Sequence, residues 1–298
     1  METCVPASRA GKPLKAGLRL VAARGETLNS QPMQRSQGAV RISFKPSDGG
    51  RTALCDLYQQ GCLKARLPKQ TAPGHEAVLI NTAGGLTGGD ALSVNVAWQA
   101  GTRAAITTQA CERIYKSTGE DAVIASRLTV ADEATGCWLP QETILFEGAR
   151  LDRKTHVSLS NKATLIACEA VIIGRPAMGE YVHTATLRDE WIIERDGRVA
   201  FIDRLNLTGD VSALLDETAI AGGARAFASV ITAGPDTARH CDLARKIIDQ
   251  HGIVGGSSDL DGVCLTRILA PSGHELRKTV MPILAALCGA DLPRVWTC

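Results

Sequence analysis

Leu92-Ser93-Val94-Asn95-Val96-Ala97-Trp98 alternates large apolar side chains with small or polar ones at every second position. That is the period of a strand buried on one face, so Leu92, Val94, Val96 and Trp98 are expected on a core and Ser93, Asn95 and Ala97 away from it. From about residue 39 onward, similar short runs separated by Gly, Pro and Asp cover 75–80, 103–109, 123–130, 156–160, 164–173, 181–188, 191–194, 198–203, 227–233 and 263–269. Many short strands at close spacing predict an extended β architecture. Two segments near the C-terminus break this rhythm. Residues 236–251 place Cys241, Ala244, Ile247, Ile248 and His251 at helical spacing, with Asp236 positioned to cap and Gly252 to stop. Residues 274–288 do the same with Leu276, Val280, Ile283, Leu284 and Leu287, and Pro282 within them is expected to kink or split the helix. The predicted fold class is mainly β: one large single body of many short strands in stacked sheets, with two helices near the C-terminus. No internal repeat is visible.

The chain has 298 residues, 45% hydrophobic and 21% charged, enough to bury a core without metal or disulfide staples. Lys and Arg number 33 against 31 Asp and Glu, and there are only four Phe, three Tyr and four Trp. A nucleic-acid binder would show a basic excess or aromatics spaced for stacking. The small net charge of +2 hides an asymmetry: residues 1–38 hold six basic and two acidic groups, leaving −2 over 39–298. The first segment reads as a basic, flexible tail and the second as a single β-rich domain. Because the tail lacks the apolar core of a secretory signal, and no run approaches the ~18–20 apolar residues of a membrane span, the expected location is cytoplasmic. The ten cysteines include no C-x-x-C pair, so reduced and mostly buried thiols are expected.

Four motifs are candidates for chemistry. Asn81-Thr82-Ala83-Gly84-Gly85-Leu86-Thr87-Gly88-Gly89-Asp90 has the glycine spacing of a phosphate loop, but Asp90 stands where the lysine should be. It is expected instead to mark a close backbone crossing with positive φ. In Thr107-Thr108-Gln109-Ala110-Cys111-Glu112-Arg113-Ile114-Tyr115, Cys111 has no histidine near it in sequence to act as base. Leu139-Pro140-Gln141-Glu142 and 165–173 place Glu142 and Glu169 among large apolar residues, where a carboxylate is costly unless paired, hydrogen-bonded or metal-bound. An ion pair between Glu169 and Arg175 would be the structural explanation. No H-E-x-x-H or local Cys/His cluster is present.

Taken together with Gly174-Arg175, Gly179-Glu180 and Pro293-Arg294-Val295-Trp296, these motifs resemble, in order and spacing over roughly 39–298, the UreD (UreH) family of urease accessory proteins. The resemblance implies a maturation factor without catalytic activity of its own. It would bind apo-urease, form a scaffold with the UreF and UreG accessory proteins and help deliver nickel to the urease active site. It further implies a mainly β fold with two helices, an internal polar passage for nickel in transit, no permanently bound cofactor, and neither nucleic acid nor membrane as a partner. On this sequence the candidate acids along such a passage are Asp90, Glu142 and Glu169. The alternative is a cysteine-dependent hydrolase using Cys111, which would need a thiol of depressed pKa.

Overall fold

The computed structural model describes residues 34–68, 75–175 and 179–297. Residues 1–33 of the expected tail lie outside these, while Gln37 and Gly38 already belong to the first strand. The unit Arg35–Cys298 contains the strands β1 Gln37–Ser47, β2 Arg51–Gly61, β3 Leu63–Arg66, β4 His75–Asn81, β5 Ala91–Trp98, β6 Arg103–Thr108, β7 Glu112–Ile114, β8 Ala122–Val130, β9 Thr135–Leu139, β10 Thr143–Leu145, β11 Arg150–Leu159, β12 Thr164–Ile173, β13 Ala185–Arg195 and β14 Arg198–Gly209, followed by β15 Ala226–Ala233, β16 Val254–Asp259 and β17 Val263–Ala270. The helices are α1 Val211–Asp216, α2 Thr237–His251 and α3 Gly273–Cys288.

From β4 to β13 the long strands alternate between two sheets in a solenoid. β4, β6, β9 and β12 lie side by side and parallel in one sheet, and β5, β8, β11 and β13 do so in the other. Parallel strands need a crossover, and here the crossover is the strand in the opposite sheet rather than a helix. At one end of the coils the connections are tight: residues 99–102, 131–134 and 160–163 each close a turn, with the amides of Thr102, Ala134 and Ala163 donating to the carbonyls of Gln99, Ala131 and Ser160. The last residue of each turn is small and buried. A geometric repeat therefore exists where none was visible in the residues. Antiparallel hairpins finish both sheets: β1 with β2, β13 with β14, and β15–β17.

The expected alternation in β5 holds, with Leu92, Val94, Val96 and Trp98 all buried. They pack in the core between the sheets, against Leu79, Ile106, Trp138 and Leu165. A second core lies between the other face of the larger sheet and helices α2 and α3, and includes Leu139, Ile166, Cys168, Val230, Ile248, Leu276 and Ile283. β12 is thus covered on both sides. Leu165, Ala167, Val171 and Ile173 face the inter-sheet core while Ile166, Cys168 and Ala170 face the helices, which accounts for its nearly unbroken apolar run.

Two expectations required correction. The runs 181–188 and 191–194 are not separate strands; β13 is continuous, because its polar centre is matched across the ladder, Arg188 to Asp152 and Asp189 to Arg153. Nor does Pro282 split its helix: α3 runs unbroken from Gly273 to Cys288. The bond Pro282 cannot donate would have gone to the carbonyl of Lys278, an exposed residue, and Leu276, Val280, Ile283, Leu284 and Leu287 are buried along its other side. α2 begins after Asp236 and ends at Gly252 in the left-handed region, φ 61°.

Candidate functional site

Opposite the tight turns, the solenoid carries long loops leaving the C-terminal ends of β4, β6, β9 and β12; three of the motifs run from strand ends into these loops, and the fourth, 165–173, lies within β12 itself. Leu86, Ile114, Leu145 and Ile173 form a buried aliphatic ladder that aligns these loops, through a bridge between Leu86 and Ile114 and the parallel pairing of β7, β10 and β12. The glycine loop is a close crossing, as expected. Gly84, Gly85 and Gly89 have positive φ, and a Cβ on Gly85 would lie 2.4 Å from the Tyr115 ring. Asp90 closes this loop: its Oδ1 accepts the Ser36 amide at 2.7 Å and its Oδ2 the Thr87 amide at 2.8 Å.

Between the two sheets, beneath the loops, is a cavity of about 240 Å³. Its rim includes the exposed residues Gly84, Gln109, Ala110 and Arg113, and its wall continues inward through Asn81, Cys111, Glu112, Thr143, Arg153 and Glu169. Glu112 accepts a hydrogen bond from Asn81 Nδ2 at 3.0 Å. Burial pushes its carboxyl up to about 7 against that bond and the Arg113 amide. In the sequence Glu112 resembles any charged residue at a strand edge; only the fold places it on the cavity wall.

Cys111 donates to Glu142 Oε2 at 3.3 Å, and Arg277 Nη1 reaches the same oxygen at 3.3 Å. Burial first, and then the charge of Glu142, push the Cys111 thiol up to about 12. This is the opposite of what a nucleophile requires, so the hydrolase alternative loses its central feature. The motifs interlock here. Gln141 Nε2 donates to the Val295 carbonyl at 2.9 Å, the Trp296 indole N–H donates to Thr107 Oγ1 and the Leu139 carbonyl, and the Arg277 guanidinium lies over the Trp296 ring.

Glu169 lies at the inner end of the cavity. Its ion-pair partner is Arg153 on β11 rather than Arg175, which pairs with Glu180 and lies over Phe146. Because side chains alternate along β12, Glu169 falls on the inter-sheet face, where β11 presents Arg153 from the opposite sheet. Arg153 also holds Asp189 with two nitrogens, at 3.1 and 2.7 Å, and donates to Thr143 Oγ1 at 2.9 Å. Arg153, Glu169 and Asp189 are all buried. Burial pushes Glu169 above the usual carboxylate range against the attraction of Arg153. A second cavity of about 140 Å³ begins at Glu169 and Asp189 and extends past Trp191 and Leu205 to Asp203, Ile220 and Arg267, the last two exposed.

The three candidate acids are therefore placed differently. Glu169 borders both cavities, Glu142 stands behind Cys111, and Asp90 is taken up by backbone amides. Glu142 and Glu169 flank Cys168, whose thiol is raised chiefly by burial and then by their charges. Among the described residues no three His, Cys, Asp or Glu side chains converge into a metal-holding group. Also among the described residues, no helix is long and apolar enough to cross a membrane, and Cys137, Cys168, Cys241, Cys264 and Cys288 are free and buried.

Comparison with known proteins agrees with this arrangement of motifs. The family profile described as UreD urease accessory protein matches residues 36–297. Urease accessory protein UreD of Chelativorans sp. (strain BNC1) is 45% identical over 273 residues, covering 91% of this chain and 98% of the relative. The UreD proteins of Rhizobium leguminosarum bv. viciae and Brucella suis (strain ATCC 23445 / NCTC 10510) are each 44% identical, covering 88% and 90% of this chain and 96% of each relative. With the profile spanning the whole two-sheet body and relatives this similar along nearly their full length, the chain belongs to the UreD family of urease accessory proteins.

Proposed function

We propose that this chain acts in the cytoplasm as a non-catalytic maturation factor, binding apo-urease together with UreF- and UreG-type accessory proteins and passing nickel toward the urease active site. The supporting observation is that two cavities reaching different surfaces share the wall residue Glu169. Divalent nickel accepts carboxylate and water ligands. Glu112 near the rim and Glu169 at the junction could each lend one carboxylate, and ligands so spread would hold a cation weakly enough to let it move on. Glu142 would act from behind the wall through Cys111, and Asp90 would keep the glycine loop in place. Nickel in this scheme is cargo.

The test is to express urease subunits with the UreF and UreG partners and nickel, with and without this chain, and to measure ammonia release. Activity that depends on the chain is expected, and equal activity in both cultures would overturn the assignment. Glu112→Gln and Glu169→Gln, checked for folding and partner binding, should each lower activation if the cavities carry the cation.

A further inference from the structure

The polar contact that separates the two cavities is unusually complete for a junction in a passage. Arg153 lines the first cavity, Asp189 the second, and Glu169 both. Four of the five N–H groups of the guanidinium are engaged: Nε and one of Nη2 on Asp189, and Nη1 on Glu169 and on Thr143 Oγ1. With the side chain so held, the carboxylates a cation would need at the junction are already engaged by a protein cation. A buried charge released from such a set is costly unless another charge replaces it.

We propose that Arg153 is the gate between the two cavities, a resident cation that occupies the Glu169 and Asp189 carboxylates and must be displaced by the travelling divalent cation. The proposal rests on the passage described above and adds its regulation. One guanidinium faces two carboxylates, and a divalent cation in its place would match both charges. The gate also explains why the junction is closed at rest, and it makes Thr143 a latch, since its hydroxyl fixes the guanidinium without contributing any charge. In place of Arg153, a lysine would offer a point charge that cannot grip Asp189 with a planar fork.

The experiment uses the full-length chain and nickel chloride in competition with a chromogenic chelator, with thermal melts to confirm folding. Thr143→Val removes the latch without unpairing a charge, and Arg153→Lys loosens the fork. Each is expected to tighten nickel binding about ten-fold, the effect of one lost charge-assisted hydrogen bond on the competing cation. Asp189→Asn leaves the guanidinium to Glu169 alone and should weaken nickel binding by a similar factor. Glu169→Gln should lose binding at the junction. If Thr143→Val and Arg153→Lys bind nickel as the wild type does while Glu169→Gln loses it, the gate is overturned and the passage stands. If Glu169→Gln also binds like the wild type, the passage itself does not run past Glu169. A purely structural role for Arg153 would move melting temperatures and leave the affinities unchanged.

Discussion

Cys111 donates its S–H to Glu142 Oε2 across 3.3 Å, and the contact holds the proton on sulfur. With the thiol pushed up to about 12, the thiolate fraction at pH 8 is on the order of one in ten thousand. Cys55 is exposed and should react with iodoacetamide first. Cys111 is expected to react about 100-fold more slowly or worse, and Glu142→Gln should speed it by removing the adjacent charge. Peptide mapping of a labelling time course checks this, and equal rates for Cys55 and Cys111 would contradict the placement.

The same carboxylate defines the role of Arg277. Glu142 is 2% exposed and Arg277 is its ion-pair partner. Removing one partner of a buried pair leaves an uncompensated charge and costs about 3–5 kcal/mol. Arg277→Met should therefore lower the urea midpoint strongly. Adding Glu142→Gln to it should recover much of the loss, because the orphaned charge is then gone. The recovery will be incomplete, since Arg277 also donates to the Trp296 carbonyl at 2.9 Å and lies over that ring. Full additivity of the two single variants would refute the coupling.

Adjacent glycines in one loop should behave differently. Gly84 has φ 77° and open space where a Cβ would go, so Gly84→Ala costs only the left-handed backbone, about 1–2 kcal/mol. At Gly85 a methyl would meet the Tyr115 ring at 2.4 Å and the Arg113 carbonyl at 2.7 Å. The second of these is backbone and cannot rotate away. Gly85→Ala is expected to cost clearly more than Gly84→Ala in thermal or urea unfolding, and to disturb the Leu86–Ile114 bridge that orders the loops.

What was legible in the sequence divides along physical lines. Strand periodicity is local, so β5 and β12 could be read from their own residues, and Glu169 stood out as a carboxylate inside an apolar run. The solenoid could not be read, because its stacked turns ask for a geometry rather than an identity. One turn meets its positive φ with Gly101 and the next with Glu133, and the small buried closing residue is Thr102, Ala134 or Ala163. Arg153 was missed for a related reason. Within Asp152-Arg153-Lys154 it looks like one of three solvated charges, and only the pairing of β11 with β13 and the facing position of β12 turn it inward. Partners brought together from 16 and 36 residues away leave no local trace, whereas the Glu169–Arg175 pair suggested by proximity did not form.

Glu112 makes the cavity wall sensitive to pH in a direction that can be worked out. Its ordinary value is 4.5, and burial holds it at about 7 in the fold. Between those values the folded chain keeps a proton that the unfolded chain has lost, so stability falls as pH rises through this window and levels off above it. Glu112→Gln retains an oxygen to accept from Asn81 and has no proton to lose. The variant should match the wild type near pH 4.5 and exceed it near pH 7.5 by about 1–3 kcal/mol, the lower end applying because the side chain is only partly sequestered. Urea titrations of both proteins across that range measure the difference, and a gap independent of pH would mean that Glu112 is not the group responsible. A divalent cation on the wall favours the carboxylate form. Nickel should therefore flatten the wild-type slope and leave the Gln variant's unchanged, so that the same titration reads whether cargo reaches Glu112.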